Sequence, residues 1–159
     1  MNSLSTAIQL RPAVATDEAF VLQLEHMSLR RITERLYGRY APRPGMGDQF
    51  PSNCRIVEKG DLAVGCVTVS QSDGCVHIEQ LYIAPTYRNR GFGRAVIEEV
   101  LSSARLQGQN VRAQVLADPD ILRFFEALGF VATSRTTRTI ALAWSAEPNQ
   151  LNCGGTCND

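Results

Sequence analysis

"IEQLYIAPTYRNRGFGRAVIEEVL" spans residues 78–101, and the fold turns on how it is read. Up to Ala84 it suits a strand, rich in β-branched and aromatic residues. After Pro85 the period becomes helical, with Val96, Ile97, Val100, Leu101 and Leu106 on one stripe. At the junction, Gly91 and Gly93 stand among Arg88, Arg90 and Arg94. A helix disfavours glycine by about 1 kcal/mol relative to alanine, and closely spaced like charges repel. A strand-to-helix junction, however, aims the helix's first N–H groups and its positive dipole end at whatever lies beyond the strand. That is a ready anion site. The glycines let an anion reach the backbone, and guanidinium groups suit phosphate. A pyrophosphate accounts for every feature of the stretch. A P-loop would need lysine here. A dinucleotide fingerprint would need a small residue where Val96 stands, and an all-parallel start.

The flanking sequence supplies the rest of the architecture. "AIQLRPA" alternates as a first strand. Thr16, Asp17 and Glu18 suit a helix start. The following apolar positions fall on two stripes, Phe20–Leu24–Met27 and Leu29–Ile32–Leu36, which predicts two helices or one with a break. "APRPGMGDQFPSN" is a Pro/Gly loop. "CRIVEK", "LAVGCVTVS" and "CVHIEQLYIA" are three strands joined by the tight turns Lys59-Gly60-Asp61 and Ser72-Asp73-Gly74, an antiparallel meander. "NVRAQVLA" must run parallel to the strand before the helical crossover. "DPDILRFFEALGF" is a helix that Asp118 or Asp120 can cap and Gly129 can close. "VATSRTTRTIALAWSA" gives one or two last strands. The fold class is α+β, a mostly antiparallel mixed sheet with one parallel strand–helix–strand step.

Composition narrows the partners. At 159 residues the chain fits one domain, taken as 1–146 with a tail at 147–159. Lys+Arg and Asp+Glu are 16 each, so no global field favours nucleic acid or an anionic membrane. No signal peptide or spanning segment is visible, and the expected location is cytoplasmic. Cys54, Cys66 and Cys75 read as small buried hydrophobes. Cys153 and Cys157 fall short of a four-ligand zinc site, so no metal is expected.

Arg88-Asn89-Arg90-Gly91-Phe92-Gly93, placed after "EQLYIAP", together with "IQLRPAVATDE" and "LRFFEALGF", resembles the GNAT superfamily, the GCN5-related N-acetyltransferases. The resemblance covers about residues 7–144. It implies acetyl-CoA as co-substrate, with its pyrophosphate on the loop Asn89 to Arg94 and Arg88 beside it. The pantetheine arm would lie along Leu81, Tyr82 and Ile83, where the parallel strands splay and an extended ligand adds like a strand. A bulge in the Leu81–Ala84 segment would help to open them.

Acetyl transfer to an amine needs a base, because an amine of pKa near 10 is about 99.9% protonated at neutral pH. His77 and Glu79 share one face of a strand and are the candidates, Glu79 first. The bland alternative is a cross-strand pair without chemistry. A backbone N–H at Leu81 or Ile83 can hold the oxyanion. His26 reads as structural or solvent-facing. Many family members carry Tyr as the second aromatic of "LRFFEALGF", where its phenol protonates the leaving thiolate. This chain has Phe125 there, and Asp118 in place of the family's Asn. Phe124 reads as core, and Phe125 as a wall of the thioester site. The acceptor, a small-molecule or peptide amine, should lie over residues 27–50. Arg30, Arg31, Arg35, Arg39 and Arg43 there make either a solvated face or a site for an acceptor with a carboxylate. Sparse aromatics argue against a base-stacking platform. A homodimer is left open. The alternative from another class is a non-catalytic acyl-CoA-binding or sensing module.

Overall fold

The computed structural model describes residues 7–42, 44–48 and 50–147. The strands are β1 (Gln9–Pro12), β2 (Cys54–Lys59), β3 (Leu62–Ser72), β4 (Cys75–Ile83), β5 (Asn110–Leu116), β6 (Val131–Arg135) and β7 (Thr139–Trp144). The helices are α1 (Glu18–Tyr37), α2 (Phe92–Leu106) and α3 (Pro119–Ala127). The strands form one seven-stranded sheet in the order β1-β2-β3-β4-β5-β7-β6. β4 and β5 pair in parallel, as the α2 crossover requires. β1–β2, β2–β3, β5–β7 and β6–β7 are antiparallel. The mixed α+β sheet expected from the sequence is therefore the one observed. The segment expected to give one or two last strands forms two, β6 and β7. Cys153, Cys157 and Arg43 lie outside the described residues.

The chain divides into two compact units, residues 1–68 with 80–96 and residues 69–79 with 97–159. In the first, α1 is one unbroken helix of 20 residues. Its buried positions are Val21, Leu24 and Glu25, while Met27 is exposed. Moving the stripe one position off Phe20–Leu24–Met27 joins the two expected stripes into one, and no break is needed. Asp17 sets the entry. Its carboxylate accepts from the Val14 N–H at 2.8 Å and from Arg11 Nη1 and Nη2 at 2.8 and 3.0 Å. Those guanidinium bonds, and the Val14 N–H, hold its carboxyl below the usual carboxylate range against the opposing effect of burial. Gly38 ends the helix at φ 82°, and its N–H donates to the Glu34 carbonyl at 2.8 Å. Beneath α1, Cys54, Ile56, Cys66 and Tyr82 join Val21 and Leu24 in a buried cluster. Cys54, Cys66 and Cys75 are free and buried, as expected. Cys54 and Cys66 lie in register opposite Thr68 and Ile56 respectively. Hydrogen bonds from the Cys66 thiol and the Thr68 hydroxyl draw the Cys54 thiol down to about 7. The same contact, with burial, pushes the Cys66 thiol up.

In the second unit, β5, β7 and β6 pair in sequence, and Val111, Ile140, Leu142 and Trp144 are buried. Gly129 follows α3 at φ 97°, the left-handed conformation expected of it, and a Cβ there would stand 3.3 Å from the Trp144 ring. The Arg105 guanidinium lies over the same ring, 5.1 Å from its centre. Along α2 the buried stripe is Val96, Ile97, Leu101 and Ala104. Leu106, expected on that stripe, is 90% exposed, because the helix ends there and its last turn has run past the core.

β3 has 11 residues and β4 has 9. A two-residue turn, Asp73 and Gly74 at φ 52° and 73°, closes β3 on β4. At the far end the Ala84 N–H donates to the Val64 carbonyl at 2.8 Å. Between these points β4 uses one residue more than β3, which is a bulge.

Candidate active site

In the first unit, β4 ends at Ile83 and Pro85–Tyr87 form a 3-10 turn. The chain then turns through Asn89 at φ 60° and Gly91 at φ 87°. Glycine meets the second angle without strain. α2 begins at Phe92, and its early hydrogen bond runs from the Ala95 N–H to the Gly91 carbonyl at 3.0 Å. By helix geometry the N–H groups of Phe92, Gly93 and Arg94 precede any helical acceptor of their own. The first turn of α2 holds no acidic residue. The contrast with α3 in the second unit is informative. There Asp118 caps its own helix, accepting from the Asp120 N–H at 2.8 Å and the Ile121 N–H at 3.3 Å. The α2 start has the electrostatics of an anion site, and α3 supplies its own anion.

The arginines of the turn differ in what they touch. Arg88 Nε donates to the Ile83 carbonyl at 2.9 Å, and Nη2 donates to the Ser28 hydroxyl at 3.0 Å. Arg90 lies 5.8 Å from the centre of the Tyr87 ring, which packs edge-on against buried Phe92. Arg94 sits exposed on the first turn of α2. Leu81 is half-buried, Tyr82 and Ile83 buried. The first unit therefore brings Leu81, Tyr82, Ile83 and the whole Arg88–Arg94 turn together at one end of β4.

The parallel register of β4 with β5 runs from Cys75↔Asn110 to Ile78↔Ala113, while β4 itself continues to Ile83. In the second unit, His77 is half-buried and in register with Arg112. Glu79 is exposed, and the Ser70 hydroxyl donates to its Oε1 at 2.7 Å. Phe125 is 5% exposed, edge-on to both Phe124 and Phe130 at 5.1 Å between ring centres. Phe124, expected as the core member of the pair, is only half-buried. The amphipathic rotation of α3 favours Phe125, because the chain returns through Phe130 on that side. Phe125 and Asp118 thus each have a local packing or capping role in view.

Three residues at these positions escape the sequence reading. Gly65 on β3 lies against β4, and an added Cβ would collide with the Tyr82 carbonyl and stand 2.8 Å from Ile83 Cδ1. Glu25, a carboxylate within α1, is 8% exposed. Ser70 is the neighbour that holds Glu79. A glycine inside an otherwise apolar strand was the available signal for the first. Nothing local announces the other two. A shallow cavity of about 520 Å³ at Pro12, Ala13 and Pro51–Arg55 contains none of the predicted site residues. Among the described residues no group of three His, Cys, Asp or Glu could hold a metal ion, and no helix is long and apolar enough to cross a membrane.

The model of the Acetyltransferase (GNAT) family matches residues 22–130. Comparison with curated protein sequences gives no match. Among solved structures, an acetyltransferase from Thermus thermophilus superposes with a TM-score of 0.67 at 19% identity, over 89% of this chain and 98% of that one. Ard1 from Thermoplasma volcanium gives 0.66 at 19%, over 87% and 97%. Arabidopsis thaliana Naa50, in complex with the bisubstrate analogue CoA-Ac-MVNAL, gives 0.59 at 17%, over 87% and 98%. At these identities the likeness is one of fold.

Proposed function

Because the chain belongs to the GNAT family of acetyltransferases, we propose that it moves the acetyl group of acetyl-CoA to a primary amine of a small molecule or peptide. The observation that carries this reading is the turn before α2, with Gly91 at φ 87°, no acidic residue in the first helical turn, and arginines on both sides. The pyrophosphate is taken by the N–H groups from Gly91 to Arg94. The pantetheine arm runs along Leu81–Ile83, beyond the end of the parallel register. The N–H of Leu81 or Ile83 receives the charge that develops on the thioester oxygen.

Glu79, two residues before Leu81 on the same strand, takes the amine's proton, directly or through water, and His77 is second in line. The free amine attacks the thioester carbon, the C–S bond breaks, and coenzyme A leaves as thiolate. Phe125 has no proton to give, so the thiolate takes up, through water, the proton that the attacking nitrogen sheds as the amide forms. The bisubstrate complex of Naa50 supports a peptide among the acceptor classes. The missing hydroxyl at Phe125 favours a second reading, a module that binds acyl-CoA without transfer.

Calorimetry with acetyl-CoA and a screen of amines for thiol release separate these readings. Wild type should bind and release thiol with some amines. Gly91→Asp should abolish binding, since it strains the backbone at φ 87° and sets a carboxylate against the pyrophosphate. Equal binding by wild type and Gly91→Asp overturns the assignment. Binding without transfer to any amine selects the second reading.

A further inference from the structure

We propose that Arg88 is a positioning residue rather than a phosphate ligand, and that Ser28 of α1 is its partner. The inference rests on the assignment of the turn to a pyrophosphate, and it names what holds that turn. Arg88 opens the turn, and a basic residue there invites the reading that its charge meets the anion. The geometry says otherwise. The Nε and Nη2 donors form one edge of the guanidinium, the edge that grips an oxyanion side-on. Here that edge is filled, by the Ile83 carbonyl at 2.9 Å and the Ser28 hydroxyl at 3.0 Å.

Three pieces of chain meet at this one planar group. Ile83 is the last residue of β4. Ser28 stands on α1 one turn after Glu25, on the same helix face by spacing. Arg88 itself leads into Asn89 and Gly91, whose positive φ angles shape the turn. The Arg88 backbone N–H adds a bond to the Pro85 carbonyl at 3.3 Å. The guanidinium therefore fixes the distance from the end of β4 to α1 while setting the direction in which the turn presents its amides. Under the proposed reading, α1 and the loop after it face the acceptor. Arg88 then joins the cofactor turn to the acceptor helix within one compact unit.

A lysine distinguishes the two roles, because it keeps the charge but not the planar fork. Acetyl-CoA affinity is measured by calorimetry for wild type, Arg88→Lys, Arg88→Gln, Ser28→Ala, Ser28→Thr and the pair Arg88→Lys/Ser28→Ala, each with its thermal midpoint. A positioning role predicts that Arg88→Lys weakens binding about tenfold, close to Arg88→Gln, as expected for a lost charge-assisted hydrogen bond. Ser28→Ala should weaken it about threefold, Ser28→Thr should restore it, and Ser28→Ala should cost nothing further once Arg88 is Lys. Arg88→Lys near wild type with Ser28→Ala silent overturns the proposal, as does full additivity of the two changes. Ser28 is only half-buried, so its variants carry the test even where a change at Arg88 prevents folding. A wild type that does not bind acetyl-CoA overturns the parent reading, and does so before any variant is made.

Discussion

Gly65→Ala probes the packing of β3 against the end of β4, the strand proposed to carry the cofactor. Gly65 is not among the residues with positive φ, so alanine fits the backbone conformation and only the space is in question. A Cβ there would overlap the Tyr82 carbonyl and approach Ile83 Cδ1 to 2.8 Å and Ile83 Cα to 3.2 Å. Two of these three neighbours are backbone atoms, which do not swing aside as a side-chain tip does. The end of β4 must therefore move by some tenths of an ångström or more. Overpacking of this kind costs about 1–3 kcal/mol. Replacing glycine returns about 0.4–1 kcal/mol by restricting the unfolded chain. A net loss of about 1–2 kcal/mol remains. In a chain of this length each kcal/mol lowers the midpoint by about 2–4 °C, so a fall of about 2–8 °C is expected by circular dichroism.

The same displacement reaches the backbone that is proposed to pair with pantetheine. If it costs one hydrogen bond, worth about 0.5–1.5 kcal/mol, the acetyl-CoA dissociation constant rises about two- to tenfold. Midpoint and affinity should fall together. A midpoint within about 1 °C of wild type with unchanged affinity would refute the reasoning, because the strand would then have room that the contact distances deny. A lower midpoint with unchanged affinity would refute the second step alone.

Glu79→Gln should lower turnover at neutral pH by about 10²-fold with little change in acetyl-CoA affinity, and the deficit should shrink at high pH where the amine deprotonates unaided; steady-state rates across pH decide it. Phe125→Tyr adds a hydroxyl inside the Phe124–Phe125–Phe130 cluster and should lower stability by about 1–3 kcal/mol if that hydroxyl stays unpaired, whereas a rise in turnover at unchanged stability would put the ring edge at the thioester. Asp17 has a lowered carboxyl pKa when folded, chiefly through its bonds from Arg11, so the stability it contributes is present above the unfolded value of about 3.9 and is lost as pH falls through the folded value. Asp17→Asn should therefore lower the midpoint at pH 6 and flatten its decline below about pH 4; an unchanged acid slope counts against the ion pair.

What was legible in the sequence was what is decided locally. Strand periods, the Asp73-Gly74 turn, the Asp118 cap and Gly129 depend on a few successive residues, and the structure has them where they were expected. The parallel step followed from connectivity, since a helix between two strands of one sheet leaves no other direction. The unbroken α1 was not legible, because two half-stripes and one rotated stripe place apolar residues at nearly the same positions. Burial of Glu25 distinguishes them, and a carboxylate is the last residue a periodicity argument assigns to a core. Phe124 and Phe125 posed a similar problem. Adjacent aromatics on a short helix differ only in rotation, and Phe130, beyond the helix, decides between them.

The arginines around Gly91 show why a charge pattern read from sequence is less specific than its backbone. Three cations in seven residues suggested three phosphate ligands. In the folded chain one is joined to Ile83 and Ser28, one stacks on Tyr87, and one stands on the first turn of α2. Two of the guanidinium groups are directed apart, that of Arg88 to a carbonyl and a hydroxyl and that of Arg90 to a ring. What all three leave in common is the run of N–H groups from Gly91 to Arg94, at the positive end of a 15-residue helix without an acidic residue in its first turn. Those amides are fixed by the backbone and cannot rotate away, which is what recognition of a small, symmetric anion requires. Under the proposed reading the side chains set the shape of the turn, and its backbone amides take the anion.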